Sequence, residues 1–98
     1  MPIYANDETG YINWVREHPL GYVLVSHNPP SAKYITLHRA DCYYINPAKA
    51  LHKDNWTKLY IKVCGTSFGD IELWAEGNLK AGKLVLPLCK SCVNAGRM

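Results

Sequence analysis

The chain has 98 residues, 48% of them hydrophobic and 19% charged, with a net charge of +3. Folding at this size hides only about 60–65% of the unfolded surface, so one small domain is expected, and a staple would strengthen its core. The composition excludes a disordered polyelectrolyte, and no apolar run reaches the roughly 18 residues that a membrane helix needs.

The opening Met1-Pro2-Ile3-Tyr4-Ala5-Asn6-Asp7-Glu8 has neither the basic nor the apolar stretch of a secretory signal. The expected location is the cytoplasm, where the four cysteines point to metal or redox chemistry rather than to two disulfides. Charge is uneven along the chain. Residues 1–30 hold Arg16 against Asp7, Glu8 and Glu17, whereas residues 31–62 hold Lys33, Arg39, Lys49, Lys53, Lys58 and Lys62 against Asp41 and Asp54. A basic middle third suits a polyanion such as DNA or RNA; a solvated lysine-rich face is the plainer alternative.

Asn6 and Asp7 open a helix over Asp7–His18, with Tyr11, Trp14 and Val15 on one face at i, i+3 and i+4, and Pro19 ending it. Gly21–Ser26 reads as a buried strand, His27–Ser31 as a loop with two prolines, and Lys33–His38 as the returning strand of a hairpin. Alternation puts Ile35 and Leu37 on one face and Tyr34, Thr36 and His38 on the other. Arg39-Ala40-Asp41 is a turn, and Tyr43–Ile45 a brief strand. Residues 46–57 form a loop or a helical turn around Ala48–His52.

Lys58–Cys64 is the clearest strand, with Leu59, Ile61 and Val63 facing one way and Tyr60, Lys62 and Cys64 the other. Thr66 or Ser67 then caps a second helix whose apolar side is Phe68, Ile71, Leu73, Trp74 and Ala75, stopped at Gly77-Asn78. Leu84–Leu88 is an extended lead into Cys89-Lys90-Ser91-Cys92, and Asn94–Met98 a frayed tail. The pattern predicts an α+β domain over 1–98: a small antiparallel sheet of three to four strands flanked by two helices, both on one side, and stapled by a zinc knuckle.

Cys89 and Cys92 suit a metal because a tight C-x-x-C turn aims two sulfurs at one point, and no βαβ context favours a thioredoxin-like redox pair. Cys42 supplies a third thiol at a strand-to-turn junction. The fourth ligand is His38, which brackets the same turn, or Cys64, which would complete an ordinary four-thiolate site. Either set would leave no open position, making the zinc structural. No nucleophile–base–orienter set can be assembled; Cys42 activated by His38 is the weakest of the readings.

His38-x-x-x-Cys42, set in Tyr34-Ile35-Thr36-Leu37-His38-Arg39-Ala40-Asp41-Cys42-Tyr43-Tyr44-Ile45 and followed by Cys89-x-x-Cys92, resembles the small zinc module of the Ada type and similar modules appended to nucleases. The resemblance implies zinc at His38, Cys42, Cys89 and Cys92, and contact with DNA. The spacer over residues 43–88 is longer than in that module and carries an additional strand, a helix and Cys64.

The residues expected to meet nucleic acid are Lys33, Arg39, Lys58 and Lys62 for phosphates, with Tyr34, Tyr43, Tyr44 and Tyr60 for bases, since aromatic platforms beside cations are what unstacked bases rest upon. Trp56 interleaves with the same basic residues, and the competing use of all these rings is core packing with the tyrosine hydroxyls at the surface. The expectation is therefore a non-enzymatic zinc-binding module for nucleic acid. Its alternative is an interaction or regulatory subunit, homodimeric or paired with another protein, in which zinc is purely structural.

Overall fold

A computed structural model of the chain describes residues 1–50, 55–79 and 86–98, and its first element is a two-residue edge strand, β1 (Ile3–Tyr4). Two residues carry no periodicity, so the sequence does not announce it. Asp7 caps α1 (Glu8–Glu17) by accepting from the Gly10 N–H at 3.0 Å. Tyr11, Trp14 and Val15 form its buried stripe as expected. Beyond the helix, Gly21 sits where a Cβ would lie 2.6 Å from the Trp14 ring, so that approach requires glycine.

β2 (Tyr22–His27) and β3 (Ile35–Arg39) form the expected hairpin, with Val23 opposite His38 and Val25 opposite Thr36. The Ser26 hydroxyl pins the connecting loop, accepting from the Ser31 N–H at 3.0 Å and donating to the Ser31 carbonyl at 3.1 Å. β4 (Tyr60–Gly65) pairs with the other edge of β2 and sets Lys62 opposite Val25 and Cys64 opposite Val23. β1 extends the free edge of β4, completing an antiparallel sheet in the order β1-β4-β2-β3.

This register decides the layers. Val23, Val25 and Cys64 face Tyr11, Trp14 and Val15 of α1, while Leu24, Leu37, Ile61 and Val63 face Ile71 and Ala75 of α2 (Phe68–Leu79). The two helices therefore cover opposite faces, not one side as the sequence suggested. The reason lies in β2: Val23, Leu24 and Val25 are all buried, so both faces of the central strand need cover.

Several local expectations are corrected. Leu59 precedes β4 instead of joining Ile61 and Val63, and it is 70% exposed; Leu73 is 70% exposed as well. Ser67 is the residue that caps α2, accepting from the Asp70 N–H at 3.2 Å, and the helix runs through Gly77 and Asn78 to Leu79. Tyr43–Ile45 is not a strand. The Ile45 and Asn46 N–H groups both return to the Cys42 carbonyl, while the buried Asn46 amide donates to the Ala40 carbonyl at 2.9 Å, which winds the segment into turns. Part of the Ala48–His52 turn and of the Leu84–Leu88 extended piece lies outside the described residues.

The tail is anchored rather than frayed. It leaves a short helix, α3 (Lys90–Asn94), after which Arg97 pairs with Asp41, the Arg97 carbonyl accepts from Arg39 Nη1 at 2.9 Å, and Met98 packs on both cores. No helix among the described residues is long and apolar enough to cross a membrane.

One carboxylate holds the far side of the domain. Glu8 accepts from the Trp56 and Thr57 N–H groups, each at 2.8 Å, and from the Thr57 hydroxyl at 3.2 Å. Removing it strands two main-chain donors. Glu8→Ala is expected to cost about 2–4 kcal/mol in urea unfolding followed by tryptophan fluorescence, against about 0.5 kcal/mol or less for the exposed Glu17→Ala.

Candidate metal centre and aromatic cleft

The centre is assembled by main-chain pairing at Leu37. Its N–H donates to the Pro87 carbonyl at 2.8 Å and its carbonyl accepts from the Cys89 N–H at 2.9 Å, a parallel bridge between Leu37 and Leu88. Cys89 thereby arrives beside His38, the next residue of β3. The turn through Ala40 returns Cys42 to the same place, and the first turn of α3 returns Cys92. The candidate ligand atoms of His38, Cys42, Cys89 and Cys92 all lie within 4.8 Å of one another, every residue is buried, and together they could hold a metal ion.

Main-chain donors already point at these sulfurs. The Arg39 N–H approaches Cys92 Sγ at 3.5 Å, the Tyr44 N–H approaches Cys42, and the Ser91 and Cys92 N–H groups approach Cys89. At Cys89, burial disfavours the charged form, but these donors and the neighbouring Cys92 and Cys42 thiols outweigh it and hold the thiol below its usual range. Burial and the adjacent sulfurs push Cys42 up to about 12, and burial also raises Cys92. Three thiols in one pocket cannot all ionise without a cation among them. Burial, with Lys62 nearby, lowers His38 to about 4, so its ring is neutral, and its Nδ1 has no hydrogen-bond partner. A neutral imidazole is the form that binds metals.

Cys64 stands apart. It is fully buried, its Sγ faces the Lys62 carbonyl at 3.9 Å, and burial raises its thiol. Between the two candidates for a fourth ligand, the fold brings His38 to the cluster.

No family model, curated protein or solved structure matches this chain.

Of the residues expected to meet nucleic acid, the structure gathers Tyr34, Tyr44, Tyr60 and Lys62 around one cleft of about 460 Å³, with Trp56 and His38 also in its wall. The register explains this, because Thr36 and His38 of β3, with Tyr34 just before the strand, and the Tyr60-Lys62 face of β4 lie on the same side of β2. Arg39 is engaged elsewhere. Its guanidinium donates to the Leu20 carbonyl at 2.5 Å and to the Arg97 carbonyl, and covers the Tyr22 ring at 4.4 Å, so it locks the tail to the start of β2. Tyr43 is outside the cleft wall, edge-on to Tyr44, and Lys33 and Lys58 are exposed.

Sequence reasoning counted Trp56 among the rings interleaved with the basic residues and assigned no binding role to His27. Trp56 stands in the cleft wall with its N–H held by Glu8 and its carbonyl by Lys62. His27, the cross-strand partner of Tyr60, stacks on Tyr34 with centroids 4.8 Å apart and on Tyr60 at 5.7 Å. The His27 contacts exist only once the strands are paired.

Lys62 is only 4% exposed; its ammonium donates to the Trp56 carbonyl at 2.6 Å and lies 5.7 Å from the Tyr11 centroid and 5.8 Å from that of Tyr60. Burial lowers it to about 8, against the opposing pull of Glu8 and Cys64. Between about pH 8 and the unfolded value of 10.5, the unfolded chain binds more protons at this position, so Lys62 makes stability rise with pH there. Relative to Lys62→Met, unfolding free energy is expected to gain on the order of 3 kcal/mol across that window. Urea titrations of both proteins from pH 7.5 to 10.5, each also made in a Cys64→Ala background to remove the thiol that faces Lys62, check this.

Proposed function

We propose that His38, Cys42, Cys89 and Cys92 hold one zinc ion, and that the module so stapled recognises nucleic acid through its cleft face. The observation that carries the metal is the convergence of one imidazole and three thiols, buried, within 4.8 Å. Zinc fits the spacing: a tetrahedral ion with Zn–S bonds of about 2.3 Å separates its sulfurs by about 3.8 Å, close to the 3.9 Å between Cys42 and Cys89. It also fits the chemistry, since a divalent cation offsets the mutual repulsion of thiolates that the packing otherwise creates. Four protein ligands complete its coordination, so the ion's contribution is to tie the C-terminal segment to β3.

The nucleic-acid half is supported by the basic middle third of the chain and by the cleft that collects Tyr34, Tyr44, Trp56, Tyr60 and Lys62. The resemblance of the His38–Cys42 and Cys89–Cys92 motifs to the Ada-type module agrees with both halves. No catalytic step is part of this reading.

Protein purified without chelator is expected to contain one zinc per chain by elemental analysis. Cys89→Ser should lose the ion and most of the folded signal, because forming such a site contributes directly to folding. Cys64→Ala should retain the ion. Metal-free protein with an unchanged melting temperature would overturn the staple. Separately, fluorescence anisotropy with labelled DNA and RNA at low ionic strength should show binding that weakens log-linearly with salt; no such binding sinks the nucleic-acid half and leaves the zinc standing.

A further inference from the structure

We infer that the cleft is a pocket for a single unstacked base, so that the strand this face takes is single-stranded or locally opened, not intact duplex. The inference rests on the nucleic-acid reading above and narrows it. A recess of about 460 Å³ walled by Tyr34, Tyr44, Trp56 and Tyr60 matches small planar ligands and not a helical surface. A base within a duplex is stacked on both sides and cannot present its face to these rings; a base from a single strand can.

The tyrosines at the opening are held in place. Tyr34 and Tyr60 are 40% and 38% exposed with centroids 5.3 Å apart, and His27, outside the cleft wall, stacks against both. His27 is thus a positioning residue that fixes two exposed ring faces at the same end of β2, β3 and β4. Such rings gain about tenfold or more in affinity per stacked base, whatever the base, because every base has a π-face.

The floor selects against the other ligand that aromatic cages accept. A methylated ammonium is drawn to ring faces, but the buried Lys62 ammonium lies in this wall and repels a second cation. An N–H-rich cation there favours the carbonyl oxygens and ring nitrogens of a base edge. Exposed Lys33 and Lys58, adjacent in sequence to Tyr34 and two residues from Tyr60, stand ready for the flanking phosphates.

The test titrates the metal-loaded protein with a labelled single-stranded oligonucleotide, the same sequence as duplex, and the same strand with abasic sites, each as DNA and as RNA. The single strand should bind about tenfold or more tighter than the duplex, and abasic substitution should lose about tenfold while leaving the salt slope unchanged. Tyr34→Ala, at an exposed position, should lose about tenfold for the intact strand and nothing for the abasic one, with zinc content and melting temperature unchanged. His27→Ala should weaken binding in the same base-dependent way, and His27→Phe should restore it. Equal binding of intact strand, abasic strand and duplex overturns the base pocket while the nucleic-acid reading survives. Absence of salt-sensitive binding by every probe removes both. Tighter binding of a trimethyl-lysine peptide than of any strand overturns the pocket's assignment in favour of a protein ligand.

Discussion

The main-chain pairing at Leu37 is the constraint from which the rest of the site follows. By donating to Pro87 and accepting from Cys89, one residue of β3 sets the register of the C-terminal segment against the sheet. Alternation along a strand then leaves no freedom: with Leu37 turned toward the α2 core, His38 must face the opposite side, where Cys89, Cys92 and Cys42 converge. A slip of one residue would move His38 to the wrong face. Arg39, the residue after it, reinforces the same register by donating from its guanidinium to Leu20 and Arg97 and from its main chain to Cys92.

The thiol cluster and the aromatic cleft are built on one sheet face and share His38 as a common wall. The opposite wall is held from α1: Glu8 fixes Trp56 and Thr57, Tyr11 donates to the Ile45 carbonyl, and the Trp56 carbonyl accepts from Lys62. The polar groups of that opposite wall are thus satisfied through one another, and a network of that kind is specific in its geometry and costly to leave half made. The cleft is bordered on one side by the C-terminal segment paired at Leu37 and on the other by groups held from the N-terminal helix.

Much of the local structure was legible in the residues. Tyr11, Trp14 and Val15 at helical spacing, the two flanking strands with prolines between them, and the Tyr60-Ile61-Lys62-Val63-Cys64 alternation each report their own element, because periodicity is a local property. The short edge strand Ile3–Tyr4 was not legible, since its existence depends on an open edge of β4 rather than on its own side chains. Leu59 and Leu73 misled for the converse reason: an apolar side chain in phase with a buried set looks internal until the element's true ends and orientation are known.

By itself the sequence determined the candidate ligand set, an H-x-x-x-C turn and a distant C-x-x-C, and it determined the supply of cations and rings in residues 31–62. Only the tertiary structure decided which of these meet. It placed His38 rather than Cys64 with the three clustered thiols, turned Arg39 into a tether, and brought Tyr34, Tyr44, Trp56, Tyr60 and Lys62 to one recess. The physical reason is that strand order and register are set by long-range pairing. β4 joins β2 across more than thirty residues and Cys89 joins Leu37 across more than fifty, and no property of either segment alone specifies its partner.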